Sequence, residues 1–304
     1  MPYDCIVCVK QVPDTANVTA SAMNEDGTVN RAALPAIFNP EDLHALEAAL
    51  DIRDRYGGTV TAISMGPPKA AEVLRDCLYR GADRAILLTD RRAAASDTLA
   101  TSYILSQAIR TLGRYDFVFC GRQAIDGDTA QVGPQCAEKL GIPQITYMEQ
   151  LVSLDDGLVR VRRNIGHGWE IVETRLPVLI TVIPTANQPR PPAAKRVMRY
   201  KRARAPAEIA AQLKAEMPEA SEDELAAEMA RRVDALRADG LLIEQWDLDR
   251  IGAELSRCGM AGSPTKVFRI QSIVLKREGY VQVPATEEGI RQLIRELVVD
   301  RILG

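Results

Sequence analysis

Histidine is nearly absent from this chain of 304 residues, which holds only His44 and His167. Six cysteines are present, but no second C-x-x-C follows Cys5-Ile6-Val7-Cys8, so a zinc site has no ligand set. Six thiols are also too few for a disulfide scaffold at this length. No apolar run approaches the roughly 18 residues of a membrane span. The start, Met1-Pro2-Tyr3-Asp4-Cys5, runs straight into a strand-like segment and lacks the basic and apolar regions of a signal peptide. Neither sign of charge prevails, with 41 acidic against 38 basic side chains and a net charge of −3. Binding to nucleic acid or to an anionic membrane driven by overall charge is thereby excluded. No internal repeat is visible. These absences predict a cytoplasmic protein without a metal centre.

What is present is the material for a core. Apolar residues make up 46% of the chain and charged residues 26%, which excludes disorder of the whole. One large α/β domain with an appendage, or two smaller domains, fits the length. Residues 3–9 read as a short strand ending in a loop at Lys10-Gln11-Val12-Pro13-Asp14. Leu43, Leu46, Ala49, Leu50 and Ile52 recur with a helical period over 41–56, with Asn39 placed as cap and Pro40 in the first turn. A strand at 59–64, a break at Met65-Gly66-Pro67-Pro68, a helix at 70–80 and a strand at 84–88 follow. Ser96-Asp97 then caps a helix at 98–112, and a strand occupies 115–120. Strand and helix alternate four times. That predicts an α/β fold with a doubly wound, mostly parallel sheet of the nucleotide-binding, Rossmann-like kind. Cys5 and Cys8 fall in the first strand, where residues three apart face opposite ways, so buried and inert thiols are expected.

Beyond Gly141, residues 146–153 and 158–163 flank Asp155-Asp156-Gly157 as a β-hairpin. Residues 176–183 are nearly all apolar and predict a strand buried on both faces. At Pro184 the composition changes, and Asn187-Gln188-Pro189-Arg190-Pro191-Pro192 cannot form regular structure. The expected divisions are a nucleotide-binding domain at 1–183, an extended arm at 184–204, a helical insertion at 205–240 and a C-terminal tail at 241–304. Six basic residues and no acidic one lie between Lys195 and Arg204. The insertion is broken at Pro218 and recapped at Ser221.

In doubly wound sheets ligands sit beyond the carboxyl ends of the strands. The segments there are 12–15, 64–67 and 121–134. The last is the most informative: Gly121-Arg122-Gln123-Ala124-Ile125-Asp126-Gly127-Asp128-Thr129-Ala130-Gln131-Val132-Gly133-Pro134. Glycines admit close approach of the backbone, and Pro134 is tolerated only in a helix's first turn. Free amides are therefore expected from Thr129 to Gly133, an array that binds phosphate without a lysine. The loop is neither a Walker loop nor G-x-G-x-x-G. Its spacing alone leaves open a Gly-rich connection with an N-cap aspartate.

Taken together, several motifs resemble the β subunit of electron-transfer flavoproteins in order and separation. They are Cys8-Val9-Lys10-Gln11-Val12-Pro13-Asp14, Asn39-Pro40, Ser64-Met65-Gly66-Pro67, Arg80-Gly81-Ala82-Asp83-Arg84 and the run from Gly121 to Gly133. The resemblance covers roughly residues 1–200. It implies that Val12, Pro13, Asn39, Ser64, Met65 and Gly66 flank a nucleotide. Gln123, Asp126, Gly127, Asp128, Thr129, Ala130, Gln131, Val132 and Gly133 would hold it. In that family the version that only shuttles electrons holds AMP, with a loop resembling D-D-D-C-N-Q-T-G. The electron-bifurcating version holds FAD, with a loop resembling D-G-D-T-A-Q-V-G-P. Asp126 to Pro134 follow the second pattern, and Gly259-Met260-Ala261-Gly262-Ser263-Pro264-Thr265 resembles the extended C-terminus of longer members. The resemblance thus implies FAD, with AMP as the alternative, and NADH as electron donor. Electrons would diverge to a ferredoxin or flavodoxin and to the flavin of an α subunit, on which the 241–304 tail packs in a heterodimer. An AMP-binding, non-bifurcating β subunit and a stand-alone nucleotide-binding regulatory module are the other readings. No residue here need act as acid or base, so whether the chain is itself an enzyme stays open.

Family members dock an acyl-CoA dehydrogenase or other oxidoreductase through an arm with a leucine anchor. By register that anchor falls at Ala194, and Arg190, Lys195, Arg196 and Met198 complete the expected partner surface. His44 is expected to pack or face solvent, His167 to be solvated, and Trp169 and Trp246 to pack. The basic run suits either a solvated face or an acidic docking surface.

Overall fold

Each run of apolar residues bounded by a glycine or proline becomes a strand or the buried face of a helix. The computed structural model describes residues 1–14, 34–265 and 282–299. In chain order, β1 (Cys5–Cys8), β2 (Gln11–Pro13) and β3 (Ala36–Phe38) precede α1 (Pro40–Tyr56) and β4 (Val60–Met65). Then come α2 (Ala71–Arg80), β5 (Arg84–Leu88), α3 (Thr98–Leu112), β6 (Phe117–Gly121) and α4 (Val132–Leu140). A meander of β7 (Gln144–Asp155), β8 (Leu158–Asn164) and β9 (Trp169–Arg175) leads into β10 (Val178–Val182). The chain continues through α5 (Ala194–Tyr200), α6 (Pro206–Glu216), α7 (Glu222–Ala238), β11 (Glu244–Trp246) and α8 (Glu287–Val299).

Nine strands form the main sheet in the order β11-β5-β4-β1-β6-β10-β7-β8-β9, parallel from β11 to β7 and antiparallel beyond. Alternation along β1 splits the core in two. Cys5 and Val7 pack with Leu46 and Leu50 of α1 and Leu74 of α2. Ile6 and Cys8 pack with Ile104 and Ile109 of α3 and Cys136 of α4. The Rossmann-like α/β expectation holds. The chain leaves β1 toward β4 on one side and later returns to β6 on the other, so the sheet crossing lies between β1 and β6. Among the described residues no helix is long and apolar enough to cross a membrane.

Several elements depart from the sequence reading. Val12 and Pro13, expected in a loop, lie in β2, paired antiparallel with β3 through Val12↔Ile37. Val12 buries its side chain, and the proline costs nothing on a two-stranded ribbon with a free edge. Thr15, the end of that expected loop, lies outside the described residues. The arm is irregular to residue 193 but then turns helical as α5, because Tyr200 is buried one turn beyond Val197. The 205–240 segment is helical as expected: α6 buries Ile209 and Leu213, whereas α7 buries nothing. Arg75 of α2 pins α6, bonding Glu208 at 2.5 Å and the Ala203 carbonyl at 2.9 Å. The tail divides. Residues 241–265 return to this chain's own sheet as β11 and pack over α3, whereas 266–281 and 300–304 lie outside the described residues.

All six cysteines are free and buried, and burial pushes the Cys5, Cys77 and Cys136 thiols up, away from the reactive thiolate. Cys5 and Cys8 do face opposite cores. Cys8→Ala is expected to cost about 1 kcal/mol through lost packing. Chemical denaturation measures this, and mass spectrometry of the native chain should show no disulfide.

Candidate nucleotide-binding site

The site is built where β1 and β6 stop pairing. Their last matched residues are Cys8 and Cys120, after which one chain runs on through Val9 and Lys10 into β2 and the other enters the 122–131 loop. The first turn of α1 fills the gap. Asp42 accepts Lys10 N through Oδ2 at 2.8 Å and Gly121 N through Oδ1 at 3.1 Å. Glu41 accepts the Arg122 guanidinium at 2.6 Å and Gln123 N at 3.1 Å. Asn39 stands at the cap position, but its side chain makes no cap bond. Instead its amide donates to the Gln123 carbonyl at 2.9 Å and accepts Ile125 N at 3.2 Å. Lys10 Nζ closes the gap from the other side, 2.8 Å from both oxygens of Asp126. Gly121 is obligatory here: a Cβ would lie 2.7 Å from the Glu41 carbonyl carbon and 2.8 Å from Asp42 N.

The loop that follows is held in an uncommon backbone shape. Asp128 and Ala130 have φ of 49° and 51°, a left-handed conformation that an alanine adopts at some cost. Gln131 is right-handed at φ −100°, ψ −30°, so Ala130 and Gln131 form a left–right pair whose amides converge on one side. Pro134 sits in the first turn of α4, as expected. Among the described residues the amides from Thr129 to Gly133 have no hydrogen-bond acceptor. Asp128 accepts Gln123 Nε2 at 2.8 Å, and Thr98 of α3 donates to Gln131 Oε1 at 3.0 Å. Gly127 is exposed and has open space around it. Gly133 is tight: a Cβ there would lie 2.8 Å from Thr181 on β10, so α4 lies close against the sheet. Two further buried polar atoms at this edge, Ser64 Oγ at the end of β4 and Arg122 Nε, have no partner among the described residues. An anion on the 129–133 amides fits this donor set.

Burial pushes the Asp42 carboxyl up to about 7, against hydrogen bonds from Asn39, Lys10 and Gly121 that hold it down. The structure thus gathers Asn39, Gln123, Asp126 and Asp128 into one bonded frame beside the amides of 129–133. Ser64, Met65 and Gly66 lie at the neighbouring strand end, with Gly66 N bonded to the Leu88 carbonyl. Lys10, Glu41, Asp42, Thr98 and Arg122 were missed by the sequence reading. Glu41 and Asp42 look like ordinary first-turn acids, and only the position of β6 gives them their role.

The expected partner residues divide. Arg190 is tied to Glu47 at 2.9 Å and Asp54 at 2.8 Å on α1, and Arg196 donates to the Leu78 and Ala82 carbonyls at the end of α2. Both hold the arm to its own domain. Ala194, Lys195 and Met198 are exposed, Met198 to 61%. His44 Nδ1 lies 3.1 Å from both oxygens of Asn187 and helps fix the arm. His167 is exposed and Trp246 is buried, as expected. Trp169, expected to pack, is 59% exposed on β9, which is the sheet's last strand among the described residues.

A parallel sheet with an amide-rich loop at its crossing defines a nucleotide-binding α/β protein. Residues 26–235 match the electron transfer flavoprotein domain. The chain belongs to the electron transfer flavoprotein family. It is 47% identical to an electron transfer flavoprotein subunit beta of Megasphaera elsdenii, over 99% of this chain and 98% of that one. A subunit of the same name from Clostridium acetobutylicum is 39% identical over 96% of each chain. Protein FixA of Bradyrhizobium diazoefficiens is 39% identical over 97% of this chain and 91% of that one. The likeness therefore runs well past residue 200, over nearly the whole chain.

Because Gly121 carries the close approach, Gly121→Ala is expected to destabilise the fold by about 1–3 kcal/mol. The urea midpoint measures it, and an unchanged midpoint would show that the α1 turn can retreat freely.

Proposed function

We propose that this chain is the FAD-binding β subunit of a two-subunit electron transfer flavoprotein of the bifurcating type. The observation that supports this reading most is the loop Asp126-Gly127-Asp128-Thr129-Ala130-Gln131-Val132-Gly133-Pro134, whose amides from Thr129 to Gly133 have no acceptor among the described residues. Those amides and the first turn of α4 suit a diphosphate, because successive N–H groups share a doubly charged group without a buried counter-cation. The open space at Gly127 leaves room for the longer ligand. Lys10 offsets the charge of Asp126 beside it. FAD, when bound, would accept a hydride from NADH and part with its two electrons singly. One would go to a ferredoxin or flavodoxin and the other to the flavin of the α subunit. The protein's part is to bind, orient and exclude water around the group.

The exposed stretch around α5 is the proposed docking surface for an acyl-CoA dehydrogenase or another oxidoreductase. A relative 52% identical over 58% of this chain is named acryloyl-CoA reductase electron transfer subunit gamma, from Anaerotignum propionicum. Lys195, Arg199, Lys201 and Arg202 are exposed and pair with no carboxylate among the described residues. They favour an acidic partner.

Two measurements follow. The α–β complex is expected to carry two flavins, and Thr129→Ala combined with Gln131→Ala should empty the β site while the α flavin stays bound. One flavin plus AMP in the wild type would make the chain a non-bifurcating β subunit. Neutralising Lys195, Arg199, Lys201 and Arg202 together should weaken association with the acceptor and flatten its dependence on salt. Equal affinity and equal salt slope would remove α5 from the interface.

A further inference from the structure

Just past Cys8 and Cys120 the ladder between β1 and β6 has no next rung. Lys10 N and Gly121 N, one from each chain segment, converge on Asp42 at 2.8 and 3.1 Å. Two N–H donors facing two oxygens are met best by an ionised carboxylate; protonation turns one oxygen into an O–H, a donor and a much weaker acceptor. Asp42 is buried at 7% exposure and no cation bonds to it among the described residues. The Lys10 ammonium is bonded to Asp126 and the Arg122 guanidinium to Glu41. The other titratable groups around it are Cys120 on β6 and Cys77 on α2, both raised thiols that stay neutral, and Glu41 beside it on α1.

Both segments that Asp42 joins border the candidate site, one through β2 and the other through the 122–131 loop. Lys10 opens the stretch whose ammonium grips Asp126, and Gly121 opens the loop that presents the 129–133 amides. Resting on the reading of this site as nucleotide-binding, we propose that Asp42 is its positioning residue. The ionised carboxylate holds the two segments face to face at Lys10 and Gly121, and its protonation frees one of them and weakens nucleotide binding. The midpoint near 7 that burial imposes agrees with this.

The stability sign is opposite to the binding sign. A carboxyl raised from 3.8 to about 7 contributes stability that is complete below 3.8 and is lost as pH rises through about 7. Ionisation therefore tightens the site while costing stability. General loosening in acid would lower both together.

The test titrates the full chain with AMP and, separately, with FAD across pH, for wild type and Asp42→Asn. The asparagine offers one acceptor and a donor, and so imitates the protonated state. Wild-type affinity is expected to fall about tenfold from about pH 8 to about pH 6, the scale of one buried hydrogen bond. Asp42→Asn should bind weakly with a flat profile. Relative to that variant, the wild-type melting temperature should fall over the same range in which affinity rises. In the ligand-free chain the amide resonances of Lys10 and Gly121 should titrate together near 7. Wild-type affinity flat with pH, a pH dependence retained in Asp42→Asn, or amides that do not titrate would each overturn the proposal. Failure of both nucleotides to bind at every pH would overturn the nucleotide reading and the proposal with it, whatever the amides do.

Discussion

A buried carboxylate, that of Asp42, stands where the two halves of the sheet part. Parallel strands hold together through a ladder that ends wherever the chains diverge, and in this fold they diverge beside the amide-rich 122–131 loop. The backbone donors exposed by that divergence need acceptors, and water cannot serve them inside the fold. Asp42 supplies both acceptors from the first turn of α1. Glu41 and Asn39, from the same turn, do the same for the next residues of the 122–131 loop. Three alternate backbone amides, those of Gly121, Gln123 and Ile125, are thus held by one helix start.

That arrangement carries a cost that the rest of the structure offsets. A carboxylate buried beside thiols and peptide groups is raised by desolvation, and two charged pairs, Lys10–Asp126 and Arg122–Glu41, surround it without neutralising it. Ala130 is held in a left-handed conformation that alanine disfavours. Strained backbone and a raised acid gather at one edge of a sheet whose interior is otherwise saturated with aliphatic side chains. Such gathering of strain and a raised acid is what sites shaped for a ligand share.

Away from the site, arginines that bond to backbone carbonyls organise the later part of the chain. Arg196 reaches the last carbonyls of α2, Arg80 reaches the Arg190 carbonyl, and Arg75 reaches that of Ala203. Cations near a helix C-terminus meet both its dipole and its unpaired oxygens. The result is an arm that keeps its course along α1 and α2 and leaves Met198 and four cations outward.

Much of this was legible in the sequence, for local reasons. Periodicity, Gly57-Gly58, Gly81 and the Asp97 cap determine α1 to α3 and the strands between them, because each signal acts within a few residues. The amide loop was legible too, since Pro134 confines the helix start. The roles of Lys10, Asn39, Glu41, Asp42 and Arg122 were not, because each depends on a partner between 32 and 116 positions away. The same holds for β11, three residues that become a strand only because β5 offers a free parallel edge. Within its own turn Asp42 is an unremarked helix-start acid, and only the parting of β1 from β6 turns it into the acceptor for two strands. Local chemistry determined the elements; burial and long-range pairing decided which of their residues meet.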